Sequence, residues 1–86
     1  MYRICTTSSF RNSFEKLPAS LRRQAVFLIG ILAVDYRDPR LHTKKLHGNR
    51  VEYSFRLHRD YRCVFCFEDG ETVLLLTIAH RKDIYR

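Results

Sequence analysis

The chain has 86 residues, with 16 lysines and arginines against nine aspartates and glutamates and a formal net charge of +7. This length predicts one domain, residues 1–86, and is too short for a nucleotide-binding fold joined to a separate substrate domain. An apolar fraction of 45% and an aromatic fraction of 13% predict a folded domain and exclude a disordered tail.

The positive charge is concentrated in the middle of the chain. Residues 37–62 contain eight of the 16 basic residues and only three of the nine acidic ones. Such a local excess favours a polyanionic partner over a merely basic surface. The longest apolar run, 25–34, is too short to span a bilayer, and residues 1–7 lack the apolar stretch of a signal peptide. We therefore expect a cytoplasmic protein with reduced thiols.

Two helices are predicted in the first half of the chain. Ser8 or Ser9 is expected to cap the first helix. Pro18 ends that helix and is suited to begin the next one, over about 19–36. The second helix is apolar on nearly every face over 26–34, so it is either covered on two sides or exposes a surface for a partner.

The remaining segments predict a sheet. A short strand is expected at 2–6, and a polar loop over 37–50 precedes strands at 51–57, 61–67 and 72–79. The Asp69-Gly70 turn is expected to pair Phe65 with Leu74 and Arg62 with Thr77. The order βααβββ predicts an α+β domain in which two N-terminal helices pack on one face of a twisted antiparallel sheet.

The predicted register brings arginines together on the other face of the sheet. A three-residue loop over 58–60 places Arg56 opposite Arg62, and a shorter loop would mix the polar and apolar faces. Arg81 joins this face if the last strand continues in the same direction. Guanidinium groups at close quarters repel one another, so their grouping favours an anion-binding face. A simply solvated face is the alternative.

Other candidate chemistries have weaker signals. The Cys63-x-x-Cys66 pair resembles half a zinc site, but residues i and i+3 of a strand face opposite sides. We interpret both as core or half-buried thiols. The four histidines fit no compact metal motif, and only His80 is considered for chemistry, with a packing role as the alternative.

Four stretches of the chain carry a resemblance to a known family. The sequence from Asp38 to Arg86 resembles the RelE/ParE superfamily of bacterial toxin–antitoxin toxins in the stretches DPR at 38–40, KKLHG at 44–48, DYRCVF at 60–65 and AHRKDIYR at 79–86. Together with the order βααβββ, the similarity covers essentially the whole chain and implies a RelE-like fold.

The resemblance implies the toxin of a type II toxin–antitoxin module that inhibits translation by cleaving mRNA on the ribosome. In RelE-type members the 2′-hydroxyl attacks the adjacent phosphate without a metal, and no other cofactor is implied. This chemistry needs a base, an acid and cations for the developing charge. The implied partners are mRNA on the ribosome and a cognate antitoxin, and no membrane is involved.

The same resemblance suggests roles for individual residues. Arg62 matches the family arginine that stabilises the phosphate, Arg81 matches its C-terminal arginine, and Tyr85 matches the tyrosine that orients or deprotonates the nucleophile. Arg56 lies where a family lysine or arginine adjoins the scissile phosphate, although a guanidinium is a poor proton donor. The residues expected to contact RNA are Lys44, Lys45, Arg59 and His80.

The general base is not identified by the resemblance. Glu52 is the carboxylate on the predicted arginine-bearing face that could serve, and a cross-strand ion pair explains it equally well. Two alternatives to the nuclease stay open, namely a ParE-like toxin that inhibits DNA gyrase without catalysis and an inactive homologue that only binds an antitoxin. The arginine and tyrosine set favours the nuclease. The apolar second helix and the basic face both suit an antitoxin with an acidic binding segment.

Overall fold

The computed structural model describes residues 1–84 and confirms the α+β order βααβββ. The main elements are β1 (Arg3–Thr6), α1 (Ser8–Glu15), α2 (Ala19–Val34), β2 (Lys44–Leu46), β3 (Glu52–Leu57), β4 (Tyr61–Phe67), β5 (Thr72–His80) and α3 (Arg81–Ile84). A 3₁₀ turn over Pro39–Leu41 links α2 to β2. No helix within the described residues is long and apolar enough to cross a membrane.

The five strands form one sheet in the order β1-β5-β4-β3-β2. The expectation of a wholly antiparallel sheet is wrong at one edge, because β1 pairs parallel to β5. A short hairpin turn would force two strands to run antiparallel. Because α1, α2 and the other strands lie between β1 and β5 in the chain, no such turn fixes the direction of β1. A second difference is β2, which occupies part of the predicted polar loop and pairs antiparallel with β3. Its two lysines are typical of a protected edge strand.

The first helix begins one residue earlier than expected, because Thr7 and not Ser8 or Ser9 is its N-cap. The Thr7 Oγ1 accepts a hydrogen bond from the Phe10 N–H at 3.0 Å. The Thr7 N–H also donates to the Leu75 carbonyl at 3.1 Å. This bond continues the β1–β5 ladder by one residue and keeps Thr7 in the extended conformation that an N-cap requires.

The helices cover one face of the sheet, as predicted. The buried side chains of α2 are Ala25, Leu28 and Leu32, and they share a core with Phe55, Leu57, Cys63, Phe65, Val73, Leu75 and Ile78 of the sheet. The apolar set of β3 and β4 therefore faces the helices. The alternating residues of these strands must face the other side.

The two hairpins of the sheet differ in how well they were predicted. The β3–β4 register is confirmed, with Arg56 opposite Arg62. The predicted β4–β5 pairs are wrong, because Phe65 pairs with Leu75 and Arg62 pairs with Ala79. The turn is wider than expected, and a bulge inserts Leu76 into β5 between the pairs Phe65–Leu75 and Val64–Thr77.

Candidate nucleic-acid interface

We call the side of the sheet opposite the helices the arginine face. Its residues lie in two neighbouring rows that run across the paired strands. The first row consists of Lys44, Ser54, Val64 and Thr77, and the second row consists of Arg56, Arg62 and Ala79. Paired residues of antiparallel strands point to the same side. Ser54, at 1% exposure, and Val64 are buried in the first row. The charged residues of these two rows are Lys44 at the sheet edge and Arg56 and Arg62 in the second row.

Arg56 and Arg62 form the centre of positive charge on the arginine face. They stand directly opposite each other on β3 and β4. Arg56 is exposed, whereas Arg62 is half-buried, and its Nη1 donates to the Tyr61 carbonyl at 2.9 Å and to the Arg59 carbonyl at 3.4 Å. These bonds hold the Arg62 guanidinium against the backbone at the turn between β3 and β4. Like charges at directly opposite positions of two antiparallel strands repel one another and disfavour the hairpin.

Arg81 is tied to the same end of the sheet, but not as a strand residue. The strand ends at His80, and Arg81 begins the short helix α3. Its N–H donates to the carbonyl of Asp60 at 2.7 Å, which fixes the backbone of Arg81 to the residue just before β4. The Arg81 side chain is exposed. Tyr85, the other predicted C-terminal site residue, lies outside the described residues.

The structure separates the residues that were predicted to contact RNA. Lys44 pairs with Ser54 and lies on the arginine face, whereas Lys45 pairs with Tyr53 and lies on the helix side. Arg59 is exposed in the turn between β3 and β4. Lys44 and Arg59 are therefore near the paired arginines, whereas Lys45 is on the other side of the sheet.

His80 lies at the end of β5 on the helix side of the sheet, where it pairs with Tyr61. Their rings make an edge contact with centroids 5.7 Å apart, and the His80 Nδ1 accepts from the Lys82 N–H at 3.2 Å. These contacts correspond to the packing alternative. A contact of His80 with RNA stays a prediction.

Glu52 shares the arginine face but is distant from the paired arginines. It lies four positions from Arg56 on β3, which is about 13 Å along a strand. Its partner across the sheet is Leu46, and its charge lies near Cys66. The pKa of the Cys66 thiol is raised, first by burial and then by the charges of Glu52 and Glu68. Glu52 as general base stays a prediction, and its position places it beside Cys66 rather than beside Arg62.

The two cysteines of the C-x-x-C pair face opposite sides of β4, as expected. Cys63 is fully buried against the helices, and burial raises the pKa of its thiol. Cys66 is half-buried, and both thiols are free. Within the described residues there is no group of three or more histidine, cysteine, aspartate or glutamate side chains placed to hold a metal ion.

A second surface runs along the outer side of α2, and we call it the α2 groove. Val26 and Phe27 are each 60% exposed and Val34 is 64% exposed. They border a depression of about 460 Å³ whose lining residues are Val26, Phe27, Gly30, Ile31, Val34, Asp38 and Arg40. A neighbouring depression of about 340 Å³ shares Val26 and is bordered by Phe14, Ala19, Arg22 and Arg23. The apolar excess predicted for the second helix is therefore a real exposed surface.

The charges at the two ends of the α2 groove differ. At the C-terminal end, Arg40 forms an ion pair with Asp38 at 2.9 Å, and hydrogen bonds from Arg40 lower the pKa of the Asp38 carboxyl to about 2. At the N-terminal end, Arg22 donates to the carbonyls of Leu17 and Glu15, and Arg23 is exposed. The groove therefore carries a net positive rim.

Several solved structures of other proteins share this fold. Neither a known protein family nor a curated protein matches the sequence. Solved structures do match, among them the RelBE2 toxin–antitoxin complex from Mycobacterium tuberculosis, with 28% identity, a TM-score of 0.74 and coverage of 93% of this chain and 98% of that chain. An archaeal RelE–RelB complex from Pyrococcus horikoshii matches with 21% identity, a TM-score of 0.78 and coverage of 93% and 94%.

A YoeB/ParE toxin from Agrobacterium tumefaciens matches with 15% identity, a TM-score of 0.80 and coverage of 92% of this chain and 98% of that chain. Several of the structural neighbours are toxins that were crystallised together with their antitoxins. The expected resemblance to the RelE/ParE superfamily is confirmed.

The paired arginines predict a stability effect that is independent of any activity. Replacing Arg56 by Gln (Arg56→Gln) removes the repulsion on Arg62, so the free energy of unfolding should rise by about 0.2–1 kcal/mol at low salt. The gain should shrink as salt screens the charges. Urea unfolding at two salt concentrations measures it, with Arg23→Gln at an exposed site of α2 as the matched control. A loss of stability in Arg56→Gln at low salt would contradict the repulsive arrangement.

Proposed function

We propose that this chain, which has the fold of the RelE-like toxin superfamily, is the toxin of a type II toxin–antitoxin module and cleaves mRNA bound to the ribosome. The observation that carries the proposal is the pairing of Arg56 with Arg62, next to the backbone bond that ties Arg81 to Asp60. The three arginines thus lie at the same end of the sheet, with Arg56 and Arg62 paired on the arginine face and the backbone of Arg81 bound beside the start of β4.

Such a site matches the charge that develops during RNA cleavage. The 2′-oxygen attacks the neighbouring phosphorus, the bond from phosphorus to the 5′-oxygen breaks, and the products are a 2′,3′-cyclic phosphate and a 5′-hydroxyl. In the transition state the phosphate oxygens gain negative charge, and fixed cations stabilise that charge. Arg62 is the best suited of the arginines, because two backbone carbonyls hold its guanidinium.

The proton transfers need other groups. The 2′-hydroxyl loses a proton as it attacks, and the 5′-oxygen gains one as it leaves. The guanidiniums of Arg56, Arg62 and Arg81 keep their protons, so they act as fixed charges and hydrogen-bond donors. We assign to Tyr85 the orientation or deprotonation of the nucleophile, as the family resemblance implies.

The antitoxin partner is proposed to bind the α2 groove with one apolar side of a helix. An amphipathic helix fits an apolar groove through side chains spaced three and four residues apart. The positive rim at Arg22 and Arg23 favours acidic residues at one end of that helix. An acidic partner is favoured over a second copy of this chain, because two copies with a net charge of +7 each repel one another.

Cleavage of mRNA tests the assignment of the arginines. Arg62→Ala and Arg81→Ala should each lower ribosome-dependent cleavage by about 100- to 1000-fold, as expected when a donor to the transition state is removed. Mapping of cleaved ends on ribosome-bound mRNA, without added metal, measures this effect. Arg23→Ala on the helix side removes the same charge and should keep full activity.

Two results would overturn the proposal in different ways. Cleavage that is unchanged in both Arg62→Ala and Arg81→Ala would remove the site assignment. Intact transcripts together with inhibition of gyrase supercoiling by the purified protein would replace the nuclease by a ParE-like activity.

The two lysines of β2 provide a matched pair for RNA binding. Because Lys44 lies on the arginine face and Lys45 on the helix side, Lys44→Ala should weaken binding of an RNA oligonucleotide and reduce the salt slope by about one ion. Lys45→Ala should change both quantities less. Fluorescence anisotropy over a range of salt concentrations measures them, and equal losses in the two variants would show that the arginine face does not define the RNA path.

The groove on α2 predicts a variant that separates toxicity from neutralisation. A Cβ atom at Gly30 would meet no heavy atom within 4 Å, so Gly30→Phe should fold and keep its activity while blocking the groove. Co-expression with the product of the neighbouring gene should then fail to restore growth. Asn12→Phe, at an exposed site of α1, is the control and should still be neutralised. Full neutralisation of Gly30→Phe would place the partner elsewhere.

A further inference from the structure

The strand β5 extends well beyond the strand that pairs with its outer edge. Its nine residues face a β1 of only four, and the last pair between them is Thr6 with Leu75. From Leu76 onward, no strand within residues 1–84 pairs with this edge of β5. Backbone groups at the edge of a core need other partners, since a buried unpaired group is costly.

Two hydroxyl groups of the first helix take the place of the missing strand. The Thr7 Oγ1 donates to the Leu76 carbonyl at 2.7 Å, and the Ser13 Oγ accepts from the Ile78 N–H at 3.0 Å. Each hydroxyl is fixed by a second bond within the helix. Thr7 Oγ1 accepts from the Phe10 N–H, and Ser13 Oγ donates to the Phe10 carbonyl at 3.0 Å.

These bonds lie at the bulge that sets the register of β5. Leu76 is the extra residue, and after it Ile78 pairs with Cys63 and Ala79 pairs with Arg62. Ile78 is consequently buried in the core, at 4% exposure. A one-residue slip would turn Ile78 to the arginine face and move Arg81 along the sheet, because side chains alternate along a strand.

We infer that Ser13 is a positioning residue for the arginine face, acting through the Ile78 N–H to hold the second half of β5 in its bulged register. Arg81 follows β5 directly, so this register decides where Arg81 lies relative to Arg62. The inference rests on the proposed function for its consequence on catalysis. The effect on the register of β5 is independent of that function.

Two measurements on the full chain test the inference. Hydrogen exchange followed by NMR should show the protection of the Ile78 amide falling about tenfold in Ser13→Ala, as expected when one hydrogen bond is lost. Single-turnover cleavage at saturating RNA should fall about ten- to 100-fold, the order expected for a misplaced catalytic group. The affinity for RNA should stay within about twofold. The hydroxyl-retaining Ser13→Thr should restore both protection and cleavage.

The controls separate this role from a general loss of folding. Ser9→Ala makes the same change at an exposed site of α1 and should alter neither quantity. Ser13→Val has nearly the shape of Ser13→Thr without the hydroxyl and should behave like Ser13→Ala.

Three outcomes would overturn the inference. The first is unchanged protection of the Ile78 amide in Ser13→Ala. The second is faster exchange of that amide in Ser13→Ala while the variant cleaves RNA as fast as an active wild-type protein. The third is failure of both Ser13→Ala and Ser13→Val to fold. A wild-type protein that cleaves no RNA would instead refute the proposed function, and the exchange of Ile78 would still test the register.

Discussion

The arrangement of the arginine face depends on burial of the opposite side of the β3–β4 hairpin. Phe55, Leu57 and Cys63 are completely buried, and each large apolar side chain contributes about 1.5–3 kcal/mol when it is removed from water. Two like charges opposite each other cost about 0.2–1 kcal/mol. The hydrophobic term is larger, so the core fixes the hairpin register even though that register places Arg56 opposite Arg62. The pairing of the two arginines, on which the proposed anion-binding site depends, thus results from packing on the other side of the sheet.

The sequence predicts the structure wherever two independent signals agree. In β3 and β4, the alternation of apolar residues and a three-residue loop indicate the same register, and the structure confirms it. His58 in this loop adopts a positive φ of 58°, a conformation that histidine adopts more readily than most residues. The sequence 74–76 in β5 consists of three leucines. It has no alternation that could reveal the bulge at Leu76 or the shift from Thr77 to Ala79 opposite Arg62.

Other parts of the fold depend on contacts that local patterns do not encode. The segment of β2 has two lysines and no β-branched residue, and it is a strand because β3 offers it an edge. The different sides taken by Lys44 and Lys45 follow from that pairing, so they could not be predicted while 37–50 was expected to be a loop. The bonds from Thr7 and Ser13 to β5 join residues 65 to 69 positions apart, and no sequence pattern signals them.

The two proposed surfaces lie on opposite sides of the molecule. The α2 groove is on the outer side of a helix whose inner side, through Ala25, Leu28 and Leu32, packs against the sheet. The arginine face is the far side of that sheet. A partner helix confined to the groove would therefore leave Arg56 and Arg62 uncovered. In the proposed function, neutralisation by direct masking requires the antitoxin to continue around the edge of the sheet, which is formed by the short strand β2. The proposed anchoring of the partner and the proposed chemistry on RNA thus use separate sets of side chains, so we expect substitutions to alter one without altering the other.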